Sequence, residues 1–275
     1  MPELPEVETV ARALRPHLVN RRIIKIETFT EALRSPVDLA GRPELIGRRI
    51  RDIQRRAKYI VVALEGGHCI LLHLGMTGSC RIVRSCETRL KHEHVIQHLD
   101  DGWSWRFLDP RKFGRMEIHP LTDDGPLPPP LRNLAPEPLG TEFDAEYLRS
   151  VCKNRKRPIK SLLMDSGLVV GVGNIYASEA LFRAGIHPAA AAGRLSKSRC
   201  QRLVRAITDV LQDAIDAGGT TISDFRTVDG TEGHFARKLD VYGRENEPCA
   251  RCRKGRLKKT VTAGRSTYYC PRCQH

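Results

Sequence analysis

The sequence predicts an α+β protein in three parts: an antiparallel sheet domain, a helical domain and a small zinc-binding β-hairpin. Three observations support this prediction. Short apolar runs separated by turn residues fill residues 20–118. Seven of the seventeen prolines fall within residues 120–140, which indicates a stiff boundary. Helical periodicity follows, and the chain closes on a CxxC-x17-CxxC pattern. We place the parts at residues 1–130, 131–238 and 239–275.

The sheet domain is expected to begin with a helix over residues 4–18. Val7, Val10 and Leu14 fall on one face of this segment, and Pro5 suits a first helical turn. The clearest hairpin comes later, where YIVVAL and HCILLHL flank the turn Glu65-Gly66-Gly67. The apolar alternation in both strands predicts an antiparallel pair.

The helical part carries four candidate helices. Two short ones are expected at residues 144–152 and 159–165. A third should run from Asn174, as its cap, to about residue 184, and a fourth over residues 197–216, capped by Ser196. Residues 217–240 are rich in Gly, Thr and Asp and predict a long loop.

Charge is the strongest compositional signal. The 275 residues carry 46 Lys and Arg against 32 Asp and Glu, a net charge of +14. Basic runs at residues 42–58, 151–160 and 249–275 concentrate this charge, which favours a nucleic-acid partner over a merely solvated surface. No apolar run approaches the length of a membrane span, and the acidic start is not a secretory signal. We therefore expect no membrane partner and a cytoplasmic location.

Four of the nine cysteines form one ligand pattern. Cys249, Cys252, Cys270 and Cys273 have the spacing of a four-thiolate zinc ribbon, and four sulfur ligands leave no open position for catalysis. The alternative is two redox pairs, but no βαβ pattern surrounds them. The other five cysteines lack ligand spacing and are expected to be buried or incidental thiols.

A glycine-rich stretch precedes the third helix. Residues 169–174 read VVGVGN, and free amides at a helix start attract anions. The pattern lacks the third glycine of a dinucleotide fingerprint. Beside a basic run it suggests a phosphate clamp, and a plain interhelical turn is the alternative.

Six separated motifs resemble bacterial formamidopyrimidine-DNA glycosylase, in order and nearly end to end: PELPEVE, HLGMTGS, DPRKFGR, LVVGVGNIYASEALFRAGIHP, GGTTISDF and GRSTYYCPRC. The resemblance implies an N-terminal β-sandwich with flanking helices, a helix-two-turn-helix domain with a lesion-recognition loop, and a C-terminal zinc finger. Small departures exist, such as Ala135 where the family commonly has glycine.

The resemblance also implies an activity. A bifunctional DNA glycosylase/AP lyase of base excision repair would excise oxidised purines, namely 8-oxoguanine and formamidopyrimidines, and cleave the strand by β,δ-elimination. Its partner would be double-stranded DNA with oxidised purines or abasic sites, and its cofactor one structural Zn²⁺. We expect a monomer in a bacterial cytoplasm, associated with the nucleoid.

Four catalytic residues follow from the resemblance. Pro2 would be the nucleophile after removal of Met1, and its amine, with a reference pKa near 8 against about 10.4 for lysine, has a roughly 300-fold larger free-base fraction. Glu3 would be the acid, supported by Glu6. Lys58 would donate a proton during β-elimination, and Arg265 would assist δ-elimination by orienting phosphate. Without the resemblance, Pro2 would be an ordinary helix-leading residue and Lys58 a surface lysine.

The remaining implied roles concern DNA binding. A flipped nucleotide leaves a gap in the stack, and three residues are implied to fill it: Met76, Arg111 and Phe113. Core packing is the alternative for the two apolar ones. Six more residues are implied phosphate contacts: His73, His92, Arg155, Lys160, Asn174 and Tyr242. A metal site at His92, His94 and His98 is a further alternative that lacks an ordered set of partners.

Two other functions compete with this interpretation. Endonuclease VIII-type enzymes, the sister family, prefer oxidised pyrimidines and typically begin PEGPE, whereas Leu4 stands here. A non-catalytic zinc-ribbon protein that recognises damaged DNA is the alternative from another class. Binding alone would not require Pro2, Glu3, Lys58 and Arg265 together.

Overall fold

The computed structural model describes residues 2–121, 125, 127–220 and 238–275. The chain forms two compact units, the first from residues 1–132 and 218–234, the second from residues 133–217 and 235–275. Most of the loop expected over residues 217–240 lies outside the described residues. The division into three parts at residues 130 and 238 stays a prediction. Among the described residues, no helix combines the length and apolar character that a bilayer crossing requires.

The described residues of the first unit form one α-helix and two four-stranded antiparallel sheets. The elements are α1 Leu4–Leu18, β1 Ile23–Thr28, β2 Ile50–Arg56, β3 Tyr59–Leu64, β4 His68–His73, β5 Ser79–Arg84, β6 Glu93–Leu99, β7 Trp103–Leu108 and β8 Arg115–Pro120. One sheet has the strand order β1-β6-β7-β5 and the other the order β2-β3-β4-β8. This architecture confirms the expected β-sandwich.

Helix α1 begins where the sequence predicts and is fixed at its start by a capping box. Glu3 is the N-cap, and the Glu3 and Glu6 side chains accept each other's backbone N–H groups. The apolar face of the helix is buried, including Leu4 and Val7 in the first turn. The first turn of α1 is therefore fixed by hydrogen bonds on its polar side and by packing on its apolar side.

The sandwich core draws on both sheets. In β3, Ile60, Val62 and Leu64 are buried in alternation, and this strand pairs with β4 in the register Ile60↔Leu72. Residues from α1 and from both sheets belong to a single apolar cluster. The predicted hairpin is confirmed as the centre of one sheet.

A buried ion pair lies inside the other sheet. Arg106 on β7 and Glu93 on β6 are 1% and 0% exposed, and Arg106 Nη1 donates to Glu93 Oε2 over 3.1 Å. Arg106 also donates to the carbonyls of Arg84 and Glu87. This guanidinium therefore ties the loop between β5 and β6 to the sheet.

The described residues of the second unit form four α-helices and one β-hairpin. The elements are α2 Ala145–Cys152, α3 Ile159–Leu163, α4 Asn174–Ala184, α5 Lys197–Asp216, β9 Lys258–Thr262 and β10 Arg265–Tyr269. Asp144 and Ser196 cap α2 and α5 by accepting the backbone N–H groups of Tyr147 and Arg199. The expected Asn174 cap is wrong: Gly173 occupies the N-cap, because the Asn174 side chain is used in a tertiary contact.

The hairpin of the second unit is attached to α4. Ala263 and Gly264 have positive φ and form the tight turn between β9 and β10. Gln274, 2% exposed, accepts the Cys270 N–H and donates to the Ile186 carbonyl beyond the end of α4. One buried amide thus joins the cysteine-bearing segment to the helix.

Removal of Arg106 should destabilise the first unit strongly. Arg106→Ala leaves the Glu93 carboxylate buried with one fewer cation, so the free energy of unfolding should fall by about 3 kcal/mol. Arg42→Ala is the matched control, because the Arg42–Asp38 pair is about half exposed and should contribute under about 1 kcal/mol. Urea unfolding followed by circular dichroism measures both, and equal losses would contradict the prediction.

Candidate active site

The start of α1 gathers three of the residues singled out from sequence. Pro2, Glu3 and Glu6 are all buried. Glu6 Oε2 accepts the Glu3 N–H over 2.8 Å, and Glu6 Oε1 accepts the Thr220 N–H over 2.8 Å. Glu6 therefore binds the backbone of Glu3, the residue after Pro2, and also the backbone of Thr220, which is far away in the sequence. The sequence offered only a helix-start acid or a supporting role for this carboxylate.

Lys58 lies in the tight turn that joins β2 to β3. Ala57 before it has φ of 54°, and Arg55 donates both to the Ala57 carbonyl and to Glu8 on α1. Burial opposes ionisation of Glu8, but hydrogen bonds from Arg12 and Arg55 hold the pKa of this carboxyl below its usual value. The turn that presents Lys58 is thus tied to helix α1.

His73 ends strand β4 close enough to Lys58 for their charges to interact. Burial first, and then the positive charges of Lys58 and Arg115, lower the pKa of His73 to about 4. The Gly75 N–H donates to His73 Nδ1 over 3.0 Å, so the neutral ring carries its proton on Nε2. His73 can therefore act as a neutral hydrogen-bond donor.

Two neighbouring loops present the three residues expected to fill the gap. Met76 and Phe113 are 40% and 41% exposed, so the core-packing alternative does not describe them. The Arg111 guanidinium lies 4.7 Å from the centre of the Phe113 ring. Beside these loops is a cleft of about 590 Å³, which is lined by Leu33, Arg34, His73, Gly75, Met76, Lys112 and Phe113.

The three histidines of the HEHVIQH segment do not form a metal site. His94 Nε2 lies 3.0 Å from the Asp109 carbonyl, and His98 Nε2 lies 2.7 Å from Glu27 Oε1. His92 stands apart, with φ of 69° before β6 and its ring 6.2 Å from that of His94. Within the described ranges, the four ribbon cysteines are the only group of three or more such side chains close enough for a metal.

In the second unit, Lys160 is the centre of a polar network. Its side chain is 1% exposed, and Nζ donates to Asn174 Oδ1, Ser266 O and Thr267 Oγ1 over 2.7, 2.8 and 2.8 Å. An ammonium has three protons, and these three acceptors can engage all of them. Lys160 thus orders Asn174 and the strand that begins at Arg265.

Tyr242 joins the same network. Asn174 Nδ2 donates to the Tyr242 hydroxyl over 3.4 Å, and the Tyr242 ring packs edge-on against Tyr268. The structure therefore brings together three of the six expected phosphate contacts.

Sequence reasoning missed Glu179, which supports Tyr242. Its carboxylate on α4 is 0% exposed and accepts three backbone N–H groups, from Asp240, Val241 and Tyr242, over 2.8–3.0 Å. Burial raises the pKa of Glu179, and the backbone hydrogen bonds oppose that rise. The sequence signal that could have identified Glu179 is an acidic residue within a largely apolar helix, because a buried carboxylate requires hydrogen-bond donors.

Arg155 and Arg265 are the exposed members of the predicted set in this unit. Arg155 Nε folds back to the Val151 carbonyl over 2.8 Å. Arg265 is the first residue of β10 and borders a cleft of about 230 Å³, which is lined by Arg157, Lys160, Ser161, Met164, Asp165, Thr262, Ala263 and Arg265. The excess of positive charge on this cleft suits an anion.

The four ribbon cysteines fit a tetrahedral metal. All four Sγ atoms lie within 4.8 Å of one another, and the Cys249–Cys273 and Cys252–Cys270 separations are 3.7 and 3.8 Å. Zn–S bonds of about 2.3 Å at tetrahedral angles place the sulfurs about 3.8 Å apart. The site therefore holds one structural zinc, and all four ligand positions belong to the protein.

Three family profiles cover most of the chain in order. They are the formamidopyrimidine-DNA glycosylase N-terminal domain at residues 1–116, the H2TH domain of the same enzymes at residues 134–226, and the zinc finger found in FPG and IleRS at residues 246–275. A formamidopyrimidine-DNA glycosylase from Thioalkalivibrio sulfidiphilus is 48% identical over 278 residues, with complete coverage of both chains. This chain belongs to the formamidopyrimidine-DNA glycosylase family.

Solved structures agree with membership in the formamidopyrimidine-DNA glycosylase family. A MutM (Fpg) protein from Thermus thermophilus is 39% identical with a TM-score of 0.87, covering 99% of this chain and 98% of its own. A Lactococcus lactis FPG variant in complex with Fapy-dG-containing DNA is 35% identical with a TM-score of 0.89, covering both chains fully. The family comprises DNA glycosylases with AP lyase activity that act in base excision repair, so the predicted enzyme class and zinc finger are confirmed.

In this member of the formamidopyrimidine-DNA glycosylase family, acid should destabilise the fold partly through His73. An unfolded histidine titrates near 6.5 and folded His73 at about 4, so protons favour the unfolded chain between these values. The free energy of unfolding should fall as pH falls through this window, by up to about 1.4 kcal/mol per pH unit from this residue. His73→Gln should flatten that slope, as measured by urea unfolding from pH 7 to 4.5. An unchanged slope would contradict the prediction.

Proposed function

We propose that this enzyme excises oxidised purines from duplex DNA through the amine of Pro2 and then cleaves the strand. The observation that carries the proposal is the position of Pro2, which precedes a helix start built from the buried carboxylates Glu3 and Glu6. Lys58 lies in a turn tied to the same helix through Arg55 and Glu8. The proposal applies to the chain after Met1 has been removed, because an acylated nitrogen is not a nucleophile.

The Pro2 amine provides the covalent step. Its nitrogen attacks C1′ of the damaged nucleotide, the bond from C1′ to the base breaks, and the base leaves with that electron pair and a proton. Opening of the sugar ring then gives an iminium at C1′. This cation acidifies the C2′ proton, so its removal expels the 3′ phosphate, and a second elimination expels the 5′ phosphate.

Two carboxylates and one lysine assist this chemistry. Glu3 acts as the acid toward the sugar ring oxygen or the leaving base, since it is adjacent to Pro2 in the chain. Glu6 is a positioning residue because both of its oxygens hold backbone N–H groups, those of Glu3 and Thr220. Lys58 donates a proton during the first elimination and contacts phosphate.

Phosphate binding uses residues of both units. Neutral His73 donates from Nε2, and His92 presents its ring from a left-handed turn. In the second unit Arg155, Asn174 and Tyr242 contact the backbone. For Lys160 we replace the predicted phosphate contact by a positioning role, because its buried ammonium already donates to three protein acceptors. Arg265 orients a phosphate for the second elimination.

Access to the lesion requires base extrusion, which costs a few kcal/mol. Met76 and Phe113 are exposed apolar side chains that can enter the vacated stack. Arg111, aligned over the Phe113 ring, pairs with the orphaned cytosine.

The choice of purines rests on the matched relatives. They are named formamidopyrimidine-DNA glycosylases, and one solved relative holds DNA containing Fapy-dG. Oxidised pyrimidines, the substrates of the sister family, are the competing class, and a panel of lesion duplexes separates the two. A cytoplasmic, nucleoid-associated location and a monomeric state complete the proposal.

Borohydride trapping tests the nucleophile. The full chain, with zinc bound, is incubated with an 8-oxoguanine:C duplex and sodium borohydride, and the adduct is digested and mapped by mass spectrometry. We expect an adduct on Pro2 in a protein whose intact mass lacks one methionine residue. An adduct on a lysine would overturn the role of Pro2. A correctly processed chain that forms no adduct and leaves the duplex intact would overturn the enzyme proposal.

Replacement of Arg265 tests the phosphate role. Arg265→Ala should lower DNA affinity and strand cleavage together, by about tenfold each, because one charge-assisted phosphate contact is lost. Arg205→Ala on α5 is the matched control, since that arginine is highly exposed and its ion pair with Asp209 is weak. Filter binding and gel-based nicking report the two quantities. If both stay at the wild-type level, Arg265 has no such role.

A further inference from the structure

We infer that Asp109 and Thr77 are positioning residues for base extrusion, because they join two loops into one rigid wedge. These are the Met76 loop between β4 and β5 (residues 74–78) and the Arg111–Phe113 loop between β7 and β8 (residues 109–114). The inference rests on the proposed function, which assigns these loops to the gap left by the flipped nucleotide. It adds two side chains that need not touch DNA and that act only through the loops they hold.

Asp109 connects the two loops through its two carboxylate oxygens. It follows strand β7 and is 0% exposed. Oδ1 accepts the Thr77 hydroxyl proton over 2.5 Å, and Oδ2 accepts the Gly114 N–H over 2.7 Å. A hydrogen bond to a charged acceptor is among the stronger ones in proteins. The Met76 loop and the far end of the Arg111–Phe113 loop are therefore held by the same carboxylate.

Thr77 makes a second connection between the same loops. While its hydroxyl donates to Asp109, Oγ1 accepts the backbone N–H of Arg111 over 3.3 Å. The Thr77 hydroxyl thus links the Met76 loop to two residues of the other loop, Asp109 at its beginning and Arg111 in its middle. Serine could make both bonds, whereas valine, which has nearly the same shape, could make neither.

The two loops also touch backbone to backbone. A Cβ added to Gly75, which has φ of +65°, would lie 2.4 Å from the Phe113 carbonyl carbon. A Cβ added to Gly114 would lie 3.0 Å from the carbonyl oxygen of His73, where the chain leaves β4 for the Met76 loop. Since no side chain separates the two backbones at these points, a displacement of one loop would be transmitted to the other.

The hydrogen bonds of Asp109 and Thr77 have a specific consequence for base extrusion, beyond a general contribution to stability. Met76 and Phe113 are about 40% exposed, so the core packs around them less closely than around a buried residue. Rigidity must come from the backbone that carries them, and small errors of placement have large effects on rate. If Asp109 and Thr77 provide that rigidity, their loss should matter when a base must be extruded and should matter little when the target is already unstacked.

Thr77→Val is the variant that tests the inference. Single-turnover excision from an 8-oxoguanine:C duplex should fall about tenfold, while cleavage of a single-stranded abasic oligonucleotide should change less than twofold. Thr77→Ser should restore duplex excision to within twofold of wild type. Thr208→Val is the matched control, because it removes a partly buried hydroxyl bond to the Pro138 carbonyl in the other unit, and it should lower neither activity selectively.

A second measurement separates placement of the wedge from loss of fold. In a Met76→Ala/Arg111→Ala/Phe113→Ala background no gap-filling side chain is left to position, so Thr77→Val should cause no further selective loss on the duplex. Equal losses on both substrates, an undiminished duplex rate, or full additivity in that background would each overturn the inference. A wild-type chain that cleaves neither substrate would overturn the proposed function and the inference with it.

Discussion

Burial of charged side chains is the constraint on which the candidate site depends. A carboxylate or ammonium removed from water must be hydrogen-bonded, and here most of the bonding groups come from loop backbone. Glu6 takes the N–H groups of Glu3 and Thr220, and Glu179 takes those of residues 240–242. Each buried charge therefore fixes a segment that carries functional residues.

Because buried side chains hold the backbone, the side chains proposed to contact DNA can remain exposed or half-buried. Met76, Phe113 and Arg265 are exposed side chains, but each belongs to a backbone segment that a buried side chain holds. Asp109 does this for the two wedge loops, and Lys160 does it for the strand that begins at Arg265. In the zinc ribbon, metal coordination has the corresponding function. Binding of one zinc by four sulfur ligands stabilises a segment that is too small to form a core of its own.

Much of the fold and of the enzyme class could be read from the sequence. Helices α1 and α5 have the predicted bounds, since periodicity and caps are local properties. The hairpin of β3 and β4 differs from its prediction by one residue, because β4 ends at His73 and not at Leu74. The zinc ligands were evident from spacing alone. Family membership followed from six motifs spread along the chain, and Pro2, Glu3, Lys58 and Arg265 were named from those motifs as catalytic candidates.

Tertiary structure decided the roles that depend on partners far apart in the chain. Gly173, and not Asn174, is the N-cap of α4, because the Asn174 side chain is hydrogen-bonded to Lys160 and Tyr242. The role of Glu179 depends on residues 240–242, whose backbone N–H groups the fold brings to its carboxylate. Thr77 and Asp109 lie 32 positions apart in the chain, so no local sequence pattern indicates the hydrogen bond that links the wedge loops. A sequence reveals which side chains need a hydrogen bond, but the geometry of the folded chain determines which group supplies it.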